Sequence, residues 1–277
     1  MNTEIPTLIL TFLLSFGNFQ LGAGITADAT GNIYVSDAGY GKVLQLTPRG
    51  DLLRVAGASG WGDVAFDEPR GLAASFSNGV LVADMNNHRV QIFQRDMSFV
   101  SSLFTRTSDN EKERFGLPSD VAVLRNGDML VCDTENTRIV QFSSGGEYRR
   151  TFGEFDAGVG RLKAPKSIAV TSDDHVYVLD GLTEIAHFDN FGNYIGTLQN
   201  ASRNPVSAIF TQNRIVFAIS DSIVYLLKNS LEFTEVRIPQ QFAQQWQDGC
   251  IFQNTLYLLG RKNVIAFKLE EISTSLD

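Results

Sequence analysis

Two cysteines, three histidines and seven prolines are all that the 277 residues contain of these types. Cys132 and Cys250 are too few for a disulfide scaffold and lack the paired spacing of a zinc site, and they specify no compartment. Both fall in apolar runs, Met129-Leu130-Val131-Cys132 and Cys250-Ile251-Phe252, where an unpaired cysteine acts as a small buried hydrophobe. Charged residues make up only 19% and sum to −8, so a broad basic grip on nucleic acid is not expected. The apolar run from Leu8 to Phe16 is shorter than the ~20 residues that cross a bilayer, and no transmembrane helix is expected. Motifs of phosphate binding, of the serine elbow and of helical zinc proteases are absent, and Ser108-Asp109-Asn110 has no Ser-x-x-Lys companion. Catalysis has no positive signature.

What the chain does have is repetition. Gly24-Ile25-Thr26-Ala27, Asn32-Ile33-Tyr34-Val35-Ser36-Asp37 and Lys42-Val43-Leu44-Gln45-Leu46 recur as Gly71-Leu72-Ala73-Ala74, Gly79-Val80-Leu81-Val82-Ala83-Asp84 and Arg89-Val90-Gln91-Ile92-Phe93. Two further copies close their second segment on Asp133 and Asp180, so the four aspartates stand at intervals of 47, 49 and 47 residues. Phe19, Phe66, Phe115 and Leu162 each lie six residues before the first apolar strand, with Pro69, Pro118 and Pro165 midway. An apolar plug ahead of a rigid proline fixes how the chain enters the next unit. Worn copies follow around Ala208-Ile209-Phe210 and Cys250-Ile251-Phe252.

Each unit holds short segments rich in Val, Ile, Leu, Tyr and Phe between turn residues, the pattern of antiparallel strands. Asn78-Gly79 and Asn126-Gly127 suit tight two-residue hairpins. Six units, about 24–56, 71–104, 120–152, 167–198, 206–237 and 248–269, predict an all-β fold in one domain: a six-bladed β-propeller of four-stranded antiparallel blades. The last unit supplies three strands, so residues 7–16 are expected to complete it and close the ring. The alternative, an export signal, fits poorly with a start that carries Glu4 and no Lys or Arg.

The motif resembles the NHL repeat: Asn86-Asn87-His88-Arg89-Val90-Gln91-Ile92-Phe93 is nearly that family's pattern. The resemblance is strong in four units and weak in the last two. It implies the propeller fold, and a range of roles from RNA- and protein-binding domains and sensor domains to a metal-dependent lyase of hydroxyglycine peptides. Fold alone does not choose among these.

Asp37, Asp84, Asp133 and Asp180 are read as turn-holding groups, with Arg89 and Arg138 five residues after Asp84 and Asp133 to pair with them. His88, His175 and His187 occupy unlike repeat positions, so a shared three-histidine metal site is not expected. No cofactor is required, although calcium held by oxygen ligands scattered around the channel leaves no spacing to read. The loops expected on one face hold Tyr40, Trp61, Arg70, Asn86, Asn87, Arg114, Asn136, Phe155, Arg161 and Lys166, a binding set rich in aromatic and arginine anchors. Asp63, Asp67, Glu68, Asp109, Glu111 and Glu113 share those loops and oppose RNA. The expectation is a monomeric, non-catalytic platform for a protein, peptide or glycan; the alternative is a metal-dependent lyase or lactonase-like hydrolase at the channel mouth.

Overall fold

A computed structural model describes residues 7–75, 79–199, 205–227 and 233–272. Strand β1 (Thr7–Phe16) is followed by β2 (Gly22–Ala27), β3 (Ile33–Asp37), β4 (Lys42–Leu46) and β5 (Leu52–Ala56), which form blade one. Blade two is β6 (Pro69–Ser75), β7 (Gly79–Asp84), β8 (Arg89–Phe93) and β9 (Phe99–Leu103). Blade three is β10 (Pro118–Val123), β11 (Met129–Asp133), β12 (Arg138–Phe142) and β13 (Tyr148–Phe152). Blade four is β14 (Pro165–Val170), β15 (Val176–Asp180), β16 (Glu184–Phe188) and β17 (Tyr194–Gln199). Blade five is β18 (Ala208–Gln212), β19 (Ile215–Ile219), β20 (Ile223–Leu227) and β21 (Phe233–Arg237). Blade six is β22 (Trp246–Phe252), β23 (Thr255–Gly260) and β24 (Val264–Ile272), with β1 as its outer strand.

Period-two alternation explains why the second strand of a blade is buried on both faces. In β3, Ile33 and Val35 pack against Tyr257, Leu259 and Val264 of blade six, whereas Tyr34 packs against Phe66, Val80 and Val82 of blade two. A strand gripped from both sides has no solvent face, and all five residues of β3 are buried. The outer strand of the same blade, β5, has one neighbour and exposes Leu52, Leu53 and Val55. Phe19, Phe66, Phe115 and Leu162 are buried where the chain enters blades one to four. Cys132 and Cys250 are buried free thiols.

The ring closes through β1, which pairs antiparallel with β24 from Thr7↔Ile272 to Phe16↔Val264, with a bulge at Leu13. Leu10 enters the core beside Ile265 and Phe267. A second seam lies nearer the axis, where the Asp248 carboxylate accepts the Ile25 amide of blade one at 2.9 Å.

One turn departs from expectation. At Asn126-Gly127 only Gly127 takes a positive φ, 88°, and its amide bonds the Leu124 carbonyl, so the loop is a wider hairpin ending on a left-handed glycine. Asn78 and residues 273–277 lie outside the described residues.

Deleting residues 7–16 should strip β24 of its partner and remove Leu10, worth about 2 kcal/mol by itself. The melting temperature should fall by about 10 °C or more, with aggregation at the bared edge. Thermal melts with light scattering check this, and an unchanged melting temperature would refute closure through β1.

Candidate functional site on the loop face

The turns between second and third strands share a face with the loops that lead into each blade. Backbone bonds join them: Ala38 to Leu21, Met85 to Glu68, Thr134 to Leu117 and Gly181 to Ala164. Beneath each junction sits a buried aspartate. Asp37 accepts the Gln20 and Leu21 amides at 2.9 Å, Asp84 the Asp67 amide at 2.8 Å, Asp133 the Gly116 amide at 3.0 Å, and Asp180 the Lys163 and Ala164 amides. Arg89 donates to Asp84 at 2.8 Å and Arg138 to Asp133 at 3.1 Å. These bonds tether each incoming loop to the end of its blade's second strand.

From that base the loop carrying Trp61 is built. Asn87 donates to Asp84 and to the Gly60 carbonyl, Arg89 reaches the Gly62 and Ala65 carbonyls, and Gln91 bonds Ala65 and Asp84. Trp61, 58% exposed, stands edge-on to Phe104 at 6.3 Å, with the Arg89 guanidinium 5.9 Å from its ring. In blade three Arg138 plays a matching part, bonding Glu154 at 2.9 Å and the Arg114 carbonyl at 2.6 Å.

The other expected binding residues are spread around this face. Phe155, 76% exposed, lies 4.0 Å beneath the Arg161 guanidinium, and exposed Tyr40 lies 5.6 Å from Lys42. Arg114 donates to the Ser108 carbonyl and pairs with Glu111; Asn86 is exposed and bonds Asp67. Asn87 requires a correction: it is 2% exposed and offers no contact surface, because its amide is consumed by Asp84 and Gly60. Asn136 repeats the bond to Asp133 but stays exposed. Arg70, ion-paired with Glu68, and Lys166 come together elsewhere, at the axis.

The axial mouth is made by an irregularity that the sequence does not announce. The first strand slips register after Gly22, Pro69, Pro118, Pro165 and Trp246 in blades one, two, three, four and six. A bulge re-aims the extra residue. Ala23, Arg70, Ser119, Lys166 and Gln247 all line a cavity of about 430 Å³ at the mouth. A second cavity of about 240 Å³, lined by residues such as Leu72, Val121, Ile168 and Ile209, continues along the axis. Asp120 and Asp248 line both. They lie on blades three and six, across the ring from each other. Burial pushes Asp120 up to about 7, and burial followed by the Asp120 charge raises Asp248 well above the usual carboxylate range. Neither was singled out from sequence; a carboxylate directly before an apolar inner strand was the available signal.

Two histidines that look unrelated in sequence meet across blade four. His175 Nδ1 lies 2.7 Å from His187 Nε2, and Tyr177 stacks on His187 at 4.3 Å. Burial, then the neighbouring imidazole, pulls His187 down to about 4, which keeps it neutral as a hydrogen-bond partner. Among the described residues no three His, Cys, Asp or Glu side chains are grouped to hold a metal ion.

Fold and face together define a six-bladed β-propeller that presents a braced loop surface around an axial mouth. The NHL repeat is matched at residues 66–93 and 115–142 of this propeller, in blades two and three. Protein brain tumor of Drosophila melanogaster is 31% identical over 133 residues, 47% of this chain and 12% of that protein. B-box type zinc finger protein ncl-1 of Caenorhabditis elegans is 30% identical over 132 residues, 47% of this chain and 15% of that protein. The chain thus spans only a small part of these relatives. A virginiamycin B lyase from Staphylococcus aureus superposes with a TM-score of 0.67 at 12% identity, covering 95% of this chain and 100% of that one. A gluconolactonase from Xanthomonas campestris gives 0.71 at 13% identity, covering 96% and 91%. At such identities the likeness is one of fold.

Replacing Asp84 by Ala should cost about 3–5 kcal/mol, because Arg89 is left buried without its counter-charge; chemical denaturation measures it, and a loss under about 1 kcal/mol would remove the tether from this account. Asp120 holds its proton to about pH 7 when folded but loses it near pH 4 when unfolded. The folded state therefore binds more protons in that window, and stability falls as pH rises through it. Asp120→Asn should flatten this slope, as urea titrations between those pH values would reveal.

Proposed function

We propose that the protein is a non-catalytic binding platform that engages a protein or peptide partner through its loop face. The observation that carries this reading is the set of exposed aromatic rings braced by cations, Trp61 with Phe104 and Arg89, and Phe155 with Arg161, on loops tethered to buried carboxylates. Rigid aromatic and arginine groups lose little conformational freedom when covered, and they are the types that dominate interfaces. The relatives in fly and worm, 31% and 30% identical over about half of this chain, support the reading. Acidic Asp63, Asp67, Glu68, Asp109, Glu111 and Glu113 on the same loops disfavour a nucleic-acid partner.

A pull-down from the native host, with the retained partner then titrated, tests it. Trp61→Ala and Phe155→Ala should each weaken the complex about tenfold or more. Unchanged affinity in both would move the interface away from this face, and retention of glycan or RNA instead of protein would overturn the partner class.

A further inference from the structure

The axial mouth is a separate feature from the aromatic loops, and its charges are arranged in tiers. The residues that the bulges and Ser207 turn toward it form an upper tier of Ala23, Arg70, Ser119, Lys166, Ser207 and Gln247. One residue further along each first strand lies a lower tier of Gly24, Gly71, Asp120, Ser167, Ala208 and Asp248. The next step down is Ile25, Leu72, Val121, Ile168, Ile209 and Gly249, an apolar floor. The upper tier thus carries two cations, Lys166 and the Arg70 that pairs with Glu68, the lower tier two carboxylates and no base, and the floor no charge.

Among the described residues no cationic side chain is bonded to the carboxylates of the lower tier, unlike Asp84 and Asp133. Asp120 accepts the Val121 and Ile168 amides at 2.8 and 2.9 Å, and Asp248 the Gly249 and Ile25 amides at 2.8 and 2.9 Å. The Ser167 side chain also hydrogen-bonds Asp120, and each carboxylate keeps acceptor capacity for a further donor. Room around them is built in: a Cβ on Gly71 would stand 1.8 Å from the Asp120 carboxylate, and one on Gly24 would stand 2.5 Å from the Arg70 carbonyl. Glycine at these two positions lets the carboxylate and the strand lean into the ring. The cavity above, about 430 Å³, falls within the usual size of small-molecule sites, roughly 300–1,000 Å³.

An anion alone would face Asp120 and Asp248, and a cation alone would have to pass Arg70 and Lys166. A ligand bearing both signs satisfies both tiers. We propose that the axial mouth binds a free α-amino acid, its ammonium held between Asp120 and Asp248 beside the Ser167 hydroxyl, its carboxylate directed to Arg70 and Lys166. Three ammonium protons match the acceptors of the lower tier, and hydroxyl and amide groups of Ser119, Ser207 and Gln247 line the wall. The apolar floor stops the charged head at the carboxylate tier, since going deeper would strip its partners.

Isothermal titration of the intact protein with L-leucine, L-glutamine, L-lysine and L-glutamate tests this without any macromolecular partner, so its result is independent of the platform reading. At least one should bind with Kd below about 1 mM. Its Nα-acetyl derivative, lacking the ammonium, and its amide, lacking the carboxylate, should each bind about tenfold or more weakly to the unaltered protein. Lys166→Gln and Asp120→Asn should weaken the free amino acid by a similar factor, while Phe191→Ala on the opposite face should not. If none of the four binds at ~10 mM, or the acetylated and amidated forms bind equally well, the proposal is overturned. The analogue series keeps the test decisive even if a variant at the ring seam fails to fold.

Discussion

A carboxylate buried at the end of a strand is costly unless fixed donors surround it, and four such groups organise this ring. Asp37, Asp84, Asp133 and Asp180 each receive the amides of the chain arriving at their blade. The donors are backbone groups that would otherwise be stranded beneath a loop, so one side chain satisfies the acid and the loop together. Where an arginine joins, at Asp84 and Asp133, the bond network extends upward to the carbonyls of the Trp61 loop or of Arg114. In the last two blades Ser220 and Gly260 stand at the corresponding place, and backbone bonds to Ile223 and Asn263 hold the turn. Trp246 fills the position that proline takes in blades two to four, fully buried, its indole bonding the Asp221 carbonyl at 3.2 Å.

The tethers leave the first strands free to do something else at the axis. In five of the six blades the first strand slips by a residue without losing its ladder, and the slip turns a side chain into the mouth. The same bulges place Asp120 and Asp248 where they bond the first strand of the following blade. Asp248 thereby spans the junction of last and first blades, inside the outer closure made by β1. Burial raises the proton affinity of both carboxylates, the Asp120 charge raises that of Asp248 further, and both shifts work against stability at neutral pH. A group retained against stability is more informative about function than one that supports it.

Much of this fold is legible in the residues, because a propeller repeats its packing problem and so repeats its solution. The plugs Phe66 and Phe115, the aspartates, and the apolar run of residues 7–16 could be placed by register alone. Loop-face residues were less legible. Trp61 and Phe155 are exposed aromatics, but Asn87 belongs to the buried network, since its short amide reaches Asp84 three residues back. Gln91 reads as an ordinary strand residue, yet it holds the loop beneath Trp61. His175 and His187 look unrelated until the hairpin sets them 2.7 Å apart.

By itself the sequence determined the number of blades, the strands within them, the buried faces and the pairing of the two ends, all consequences of local alternation and a fixed interval. Only the tertiary structure decided which side chains share the axis. Residues 120 and 248 are distant along the chain and carry no common motif. They meet because six sheets close on a circle, and a circle brings opposite blades together at its centre.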